Sequence, residues 1–145
     1  MTRFLDAQIS QNISYSDAIS IPLSSTPTLF ATLGLNLSAA GPNRRVQFTG
    51  TIAVSSLAQV LVPINIEIYR GTGPNRVLVY SASETSQVSG TLGVASRRII
   101  TLTGADFNPP PAFLIYQAFI SIPGGVPIAP TRTGPESFNA QAYSD

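Results

Sequence analysis

The 145-residue chain contains no cysteine, no histidine, no tryptophan and no lysine, and all eight of its basic residues are arginines. Each absence closes a class of chemistry. Without cysteine there is no disulfide framework and no thiol nucleophile, so any stability outside a cell must come from packing or assembly. Without histidine or cysteine there is no histidine-based triad and no site built from the usual zinc ligands. Without lysine there is no Schiff-base chemistry and no isopeptide cross-link. Only carboxylates, hydroxyls and guanidinium groups remain, which argues against an enzyme. Charge is scarce as well: 10% of residues are charged, and eight basic against seven acidic residues leave a net +1. That balance supplies no field to attract nucleic acid or an anionic membrane. No run approaches the roughly 20 apolar residues of a membrane span. The opening "MTRFLDAQIS" meets Asp6 before any apolar run develops, so it does not read as a secretory signal, and the sequence as written reads as a cytosolic product or a mature fragment.

What the chain has is alternation. Leu29, Ala31, Leu33, Leu35 and Leu37 share one parity, as do Val46, Phe48, Ile52 and Val54, and then Val62, Ile64, Ile66 and Ile68. "RVLVYSA", "RRIITLTG", "AFLIYQAFISI" and "SFNAQAY" continue it, and no stretch shows a helical period. "GPNR" occurs at 41–44 and again at 73–76, each time just before a strand, with Pro and Asn suited to the second and third positions of a β-turn. "FNPPPAF" and the segment 123–136 read as loops. Eight or nine short strands at regular spacing, with 43% hydrophobic residues to fill a core, predict an all-β, antiparallel two-sheet sandwich of jelly-roll type.

Candidate ligand sites are sparse. Asp106 with Asn108 suggests a calcium position, but calcium needs six to eight oxygens and a turn-capping role fits Asp106 better. Glu67 and Glu84 are the remaining acid–base pair to consider, and Glu67 falls on the polar side of its strand. Arg44–Arg45 and Arg97–Arg98 cannot each form one anion fork, because neighbouring strand residues point to opposite faces. They suit the surface or a salt bridge across a subunit contact. Gly-x-Gly in "GTGPNR" has no helix after it, and the sequons at 12–14 and 36–38 lack a secretory context. No catalytic residue, metal or cofactor is expected.

The stretch "LDAQISQNISYSDAISI", residues 5–21, is about three times longer than an ordinary strand. It is expected to divide near Ser16-Asp17 into an arm, residues 1–16, and a sandwich domain, residues 17–145. Phe4, Leu5, Ala7, Ile9, Ile13 and Tyr15 would then be the face that completes a neighbour's sheet by strand donation, with odd positions inward and even positions in water. A long strand bent at a bulge across both sheets of its own domain is the competing expectation, with Asp17 at the corner.

The run of short strands over residues 28–143, the "FLIYQAFISI" strand before a Gly/Pro loop, the closing "SFNAQAY" and the polar N-terminal extension resemble the jelly-roll subunits of bacterial endospore appendages. More loosely, they resemble the C-terminal domains of collagen-like exosporium glycoproteins. The resemblance implies an extracellular fibre on the spore surface: a helical homopolymer whose partner is itself, with an anchoring protein and a tip protein at its ends. The cysteines of the appendage connectors are absent here, as is any collagen repeat, so assembly would be non-covalent. Two other readings share the pattern: a compact trimeric cap or lectin-like module whose 123–136 loop contacts a ligand, and a viral capsid or fibre jelly roll.

Overall fold

The computed structural model describes residues 1–57, 61–86 and 95–145. Its strands are β1 (Arg3–Ile13), β2 (Ile21–Pro22), β3 (Thr28–Asn36), β4 (Arg45–Leu57), β5 (Pro63–Arg70), β6 (Val77–Thr85), β7 (Ala95–Phe107), β8 (Phe113–Ser121) and β9 (Thr131–Ser144). The larger sheet runs β1-β9-β4-β7, with the two-residue β2 also on β9, and the smaller runs β3-β8-β5-β6. Every pairing is antiparallel. The β5/β6 hairpin is the innermost pair, and β4/β7, β3/β8 and β1/β9 nest outside it, alternately in one sheet and the other. A long hairpin wrapped in this way is a jelly roll.

The alternation works as the sequence predicts through most of the chain. Val46, Phe48 and Ile52 of β4, Ile64, Ile66 and Ile68 of β5, and Phe138, Ala140 and Ala142 of β9 are buried between the sheets. Phe48 stacks edge-on against Tyr80 and tilted against Phe138, joining β4, β6 and β9. The two "GPNR" segments each lead into a strand, β4 and β6, but differ in shape. In the first, Asn43 carries the turn at φ 52°, whereas Gly73–Asn75 form one turn of 3-10 helix.

Two expectations change. The loop placed over 123–136 ends earlier, because β9 begins at Thr131. Gly134, placed by the sequence in that loop, instead sits inside the strand at φ 86°, where a Cβ would meet Ile13 Cγ2 and the Tyr15 carbonyl oxygen, each at 2.6 Å. Only glycine lets the chain leaving β1 cross β9 this closely. Asp106 caps no turn and faces no open site. It is buried on β7, paired with Arg70 on β5 at 2.5 Å and accepting a 2.8 Å hydrogen bond from the Tyr116 hydroxyl of β8. Burial, and then the bond to the Asp106 carboxylate, push the Tyr116 hydroxyl above the ordinary tyrosine range. Glu67 and Glu84 share no site: Glu67 accepts a bond from the Tyr69 hydroxyl on the outer face of the smaller sheet, while Glu84 pairs with Arg98 across the β6–β7 flank. Arg45 and Arg97 pair with Asp145 and Asp17 of their own chain.

Candidate assembly surface

The segment expected to leave the domain lies, in the single chain, along the edge of its own larger sheet. β1 pairs with β9 from Arg3↔Ser144 to Ile13↔Glu136. It neither crosses to the smaller sheet nor bends around a corner. Residues 14–20 form no strand before β2, and Asp17, at φ 59°, marks the change of direction.

A bulge between Phe4 and Asp6 decides which side of β1 faces in. The extra residue, Leu5, shifts the parity by one. Gln8 and Ser10 stand opposite the core residues Ala140 and Phe138, whereas Ala7 and Ile9 stand opposite Gln141 and Asn139 on the outer face. Of the six residues assigned to the donor face, Phe4, Ala7, Ile9 and Tyr15 are exposed, with Ile9 at 74% and Tyr15 at 77%. Leu5 and Ile13 are half-buried. Within its own sheet, then, Ala7, Ile9 and Gln11 point outward, because local alternation reveals neither the bulge at Leu5 nor the one between Gln11 and Ile13 that brings Ile13 opposite buried Glu136.

The even positions have a use that periodicity does not show. β3 is the edge strand of the smaller sheet, and its outward backbone groups face β1. The Asn36 backbone N–H donates to Asp6 Oδ2 at 2.8 Å, and the Thr32 N–H to Ser10 Oγ at 3.4 Å. Asn12 Nδ2 donates to Glu136 Oε1 at 2.8 Å. Glu136 is held in turn by Arg132, whose Nε and Nη2 each lie 2.6 Å from a carboxylate oxygen in a buried bidentate pair. Polar side chains therefore cover an open sheet edge and complete a buried ion pair. They do not fill the flank: a cleft of about 210 Å³ remains between β1 and β3, lined by Ser10, Gln11, Asn12, Leu29, Phe30, Ala31 and Thr32.

The outer face of the larger sheet is the other broad surface. Three successive rungs cross it: Ala7–Gln141–Gln47–Ala105, Ile9–Asn139–Thr49–Thr103 and Gln11–Ser137–Thr51–Thr101. None carries a charge. The rung beyond them, Phe4–Tyr143–Arg45–Phe107, has one cation, and Asp145 balances it at 3.6 Å. The smaller sheet presents a charged, aromatic patch instead: the Arg76 guanidinium lies 3.9 Å from the Tyr69 ring centroid and 4.9 Å from that of Phe119, beside Glu67.

No family model and no curated protein matches the chain. Among solved structures, it is similar to dimeric latent PorU from Porphyromonas gingivalis at 12% identity and a TM-score of 0.48, covering 98% of this chain and 13% of that one. It is similar to the Eiger TNF of S. frugiperda at 11% identity and a TM-score of 0.48, covering 97% and 92%. It is similar to an infectious bursal disease virus structure, Gt strain, at 11% identity and a TM-score of 0.44, covering 97% and 37%. The chain thus spans about an eighth of PorU and about a third of the viral chain. The jelly-roll assignment rests on the strand order and nested pairing described above.

Proposed function

We propose that the chain is a structural subunit that polymerises without covalent links, each copy lending β1 to β9 of the next. The observation that carries this reading is that no residue of β1 is buried, although the β9 strand it pairs with alternates buried residues along its length. β1 is held by a backbone ladder, a few polar side chains and two half-buried apolar ones, and all of these contacts exist equally well in trans. Exchanging an identical element between copies conserves every such bond, so it is a low-cost route to association. The link that would have to open is exposed. Asp17 and Arg97 are paired at 2.7 Å with side chains 53% and 63% accessible, and such pairs contribute about 0–1 kcal/mol. Seven residues, 14–20, extended at about 3.3 Å each, reach roughly 23 Å. Because donor and acceptor are different surfaces, the contact is head-to-tail and gives a filament wherever the rotation does not close. The resemblance of the sequence to endospore appendage subunits suggests that the fibre belongs to a spore surface, with anchoring and tip proteins at its ends.

Removing residues 1–16 tests the proposal. Negative-stain electron microscopy and light scattering of the full chain should show fibres, and the truncated chain should remain folded by circular dichroism while forming none. Fibres from the truncated chain, or closed rings and shells from the full one, would overturn it.

A further inference from the structure

We infer that the outer face of the larger sheet, uncharged across its middle, is a second self-association surface, on which a second copy of this chain packs face to face. Three observations point to a copy of the same chain as the occupant. The first is charge. The chain has fifteen charged side chains and none stands on the three middle rungs; the arginines toward the two ends of the face, Arg45 and Arg97, are each paired with an acid of their own chain, so laying the face on itself opposes no unpaired like charges. The smaller sheet, with Arg76 and Glu67 on its outer face, lacks this property.

The second is relief. Phe107 at 74% exposure and Ile99 at 63% stand out from β7, and Ile9 at 74% from β1. Between β4 and β7 lies a depression of about 480 Å³, bordered by Gln47, Thr49, Thr103, Ala105 and Phe107. Projections and hollow on one surface are what an isologous contact requires, since each copy must supply both halves.

The third is area. Four strands about 4.8 Å apart, with about nine residues at roughly 3.3 Å each, present a plane of about 550 Å². Side-chain relief raises its accessible area toward the about 800 Å² per partner of a standard stable interface. The face is the same whether the β1 on it belongs to its own chain or comes from a neighbour, so this contact stands independently of strand exchange. Where both operate, fibres associate laterally in pairs.

The chain has no cysteine, so one introduced thiol reports on one place. Thr49→Cys puts it at the centre of the face, and Ser81→Cys puts it on the exposed outer face of the smaller sheet as control. A bis-maleimide cross-linker spanning about 10 Å, the spacing of stacked sheets, should join Thr49→Cys chains in high yield at about 50 µM and leave Ser81→Cys chains single. A second variant, Thr103→Arg, brings a charge to the same face. It should weaken the association seen by sedimentation at least tenfold, while Ser81→Arg leaves it unchanged. Equal cross-linking at Thr49→Cys and Ser81→Cys, or equal sedimentation of Thr103→Arg and the parent chain, would overturn the inference. Deleting residues 1–16 addresses strand exchange separately: loss of fibres with Thr49→Cys still cross-linking in the full chain supports both contacts, and a full chain that forms fibres without that cross-link sinks the face contact alone.

Discussion

β8 has hydrogen-bonded neighbours on both sides, β3 and β5, and sends Leu114, Tyr116, Ala118 and Ile120 into the core. β1 has a hydrogen-bonded neighbour on one side only, and its inward residues are Asp6, Gln8 and Ser10. β8 begins with Phe113 and β1 has Phe4 as its second residue, and both carry an apolar residue at most alternate positions. Their difference in burial comes from place in the ladder and from the bulge at Leu5, since one inserted residue turns the side chains after it to the opposite face until the second bulge, between Gln11 and Ile13, turns them back. The interior strand is fixed by packing that has no equivalent elsewhere. The edge strand is fixed by contacts that a neighbouring copy could reproduce.

The largest break in that comparison lies where the two kinds of contact meet, at Glu136. Glu136→Ala leaves the Arg132 guanidinium buried without its carboxylate, and breaking a buried pair in this way costs about 3–5 kcal/mol. Asn12→Ala removes only the bond arriving from β1, about 1 kcal/mol. Urea denaturation should separate the two variants by at least 2 kcal/mol, an order-of-magnitude gap that follows from those two estimates. Equal losses would mean that β1 anchors the ion pair as strongly as Arg132 does, and that strand exchange is costlier than proposed.

A matched isoleucine pair sharpens the same contrast. Ile120→Ala on β8 opens a cavity at a residue 1% exposed and should cost about 2–5 kcal/mol. Ile9→Ala on β1 changes a residue 74% exposed and should shift folding stability by no more than about 0.5 kcal/mol. Comparable losses in thermal unfolding would place Ile9 inside the fold, in the orientation that alternation alone predicts.

The nested sandwich was legible because alternation in β3, β4, β5 and β8 survives bulges that leave the main apolar residues inward. Phe48, Ile66 and Tyr116 lie on the faces their parity predicts. β1 was legible as an extended, amphipathic strand, and its orientation was not. The signal that could have given it is chemical: Asp6, Gln8, Ser10 and Asn12 form an unbroken polar stripe, which suits the covering of an open sheet edge as well as it suits water. Asp106 misled because the sequence around it, "TGADFNPPP", is turn-like, whereas its partners Arg70 and Tyr116 are 36 and 10 residues away. A buried ion pair between strands distant in sequence leaves no local pattern. The early start of β9 was hidden for a different reason: Arg132 and Glu136, four residues apart on the same strand, read as exposed charges, and they are buried because each satisfies the other.

The smallest effect concerns two tyrosines placed like the two strands, Tyr116 buried on β8 and Tyr15 exposed just after β1. With no lysine and no cysteine, and with arginine protonated throughout the accessible range, tyrosines dominate titration above about pH 9. The Tyr116 hydroxyl is raised above its unfolded value of about 10, first by burial and then by its bond to Asp106. The folded state therefore keeps this proton after the unfolded state has released it. Its stabilising contribution is fully present below pH 10 and is lost as pH climbs toward the folded value, at up to about 1.4 kcal/mol per pH unit. The melting temperature should be level from pH 7 to 9 and fall steeply beyond pH 10. Tyr116→Phe lowers it at neutral pH by the equivalent of about 1 kcal/mol, the hydrogen bond to Asp106, and should flatten the alkaline fall. Tyr15→Phe should reproduce the parent profile. If Tyr116→Phe keeps the full alkaline slope, the buried hydroxyl is not what limits the fold at high pH, and the Tyr69 hydroxyl, raised first by its bond to Glu67, becomes the group to replace next.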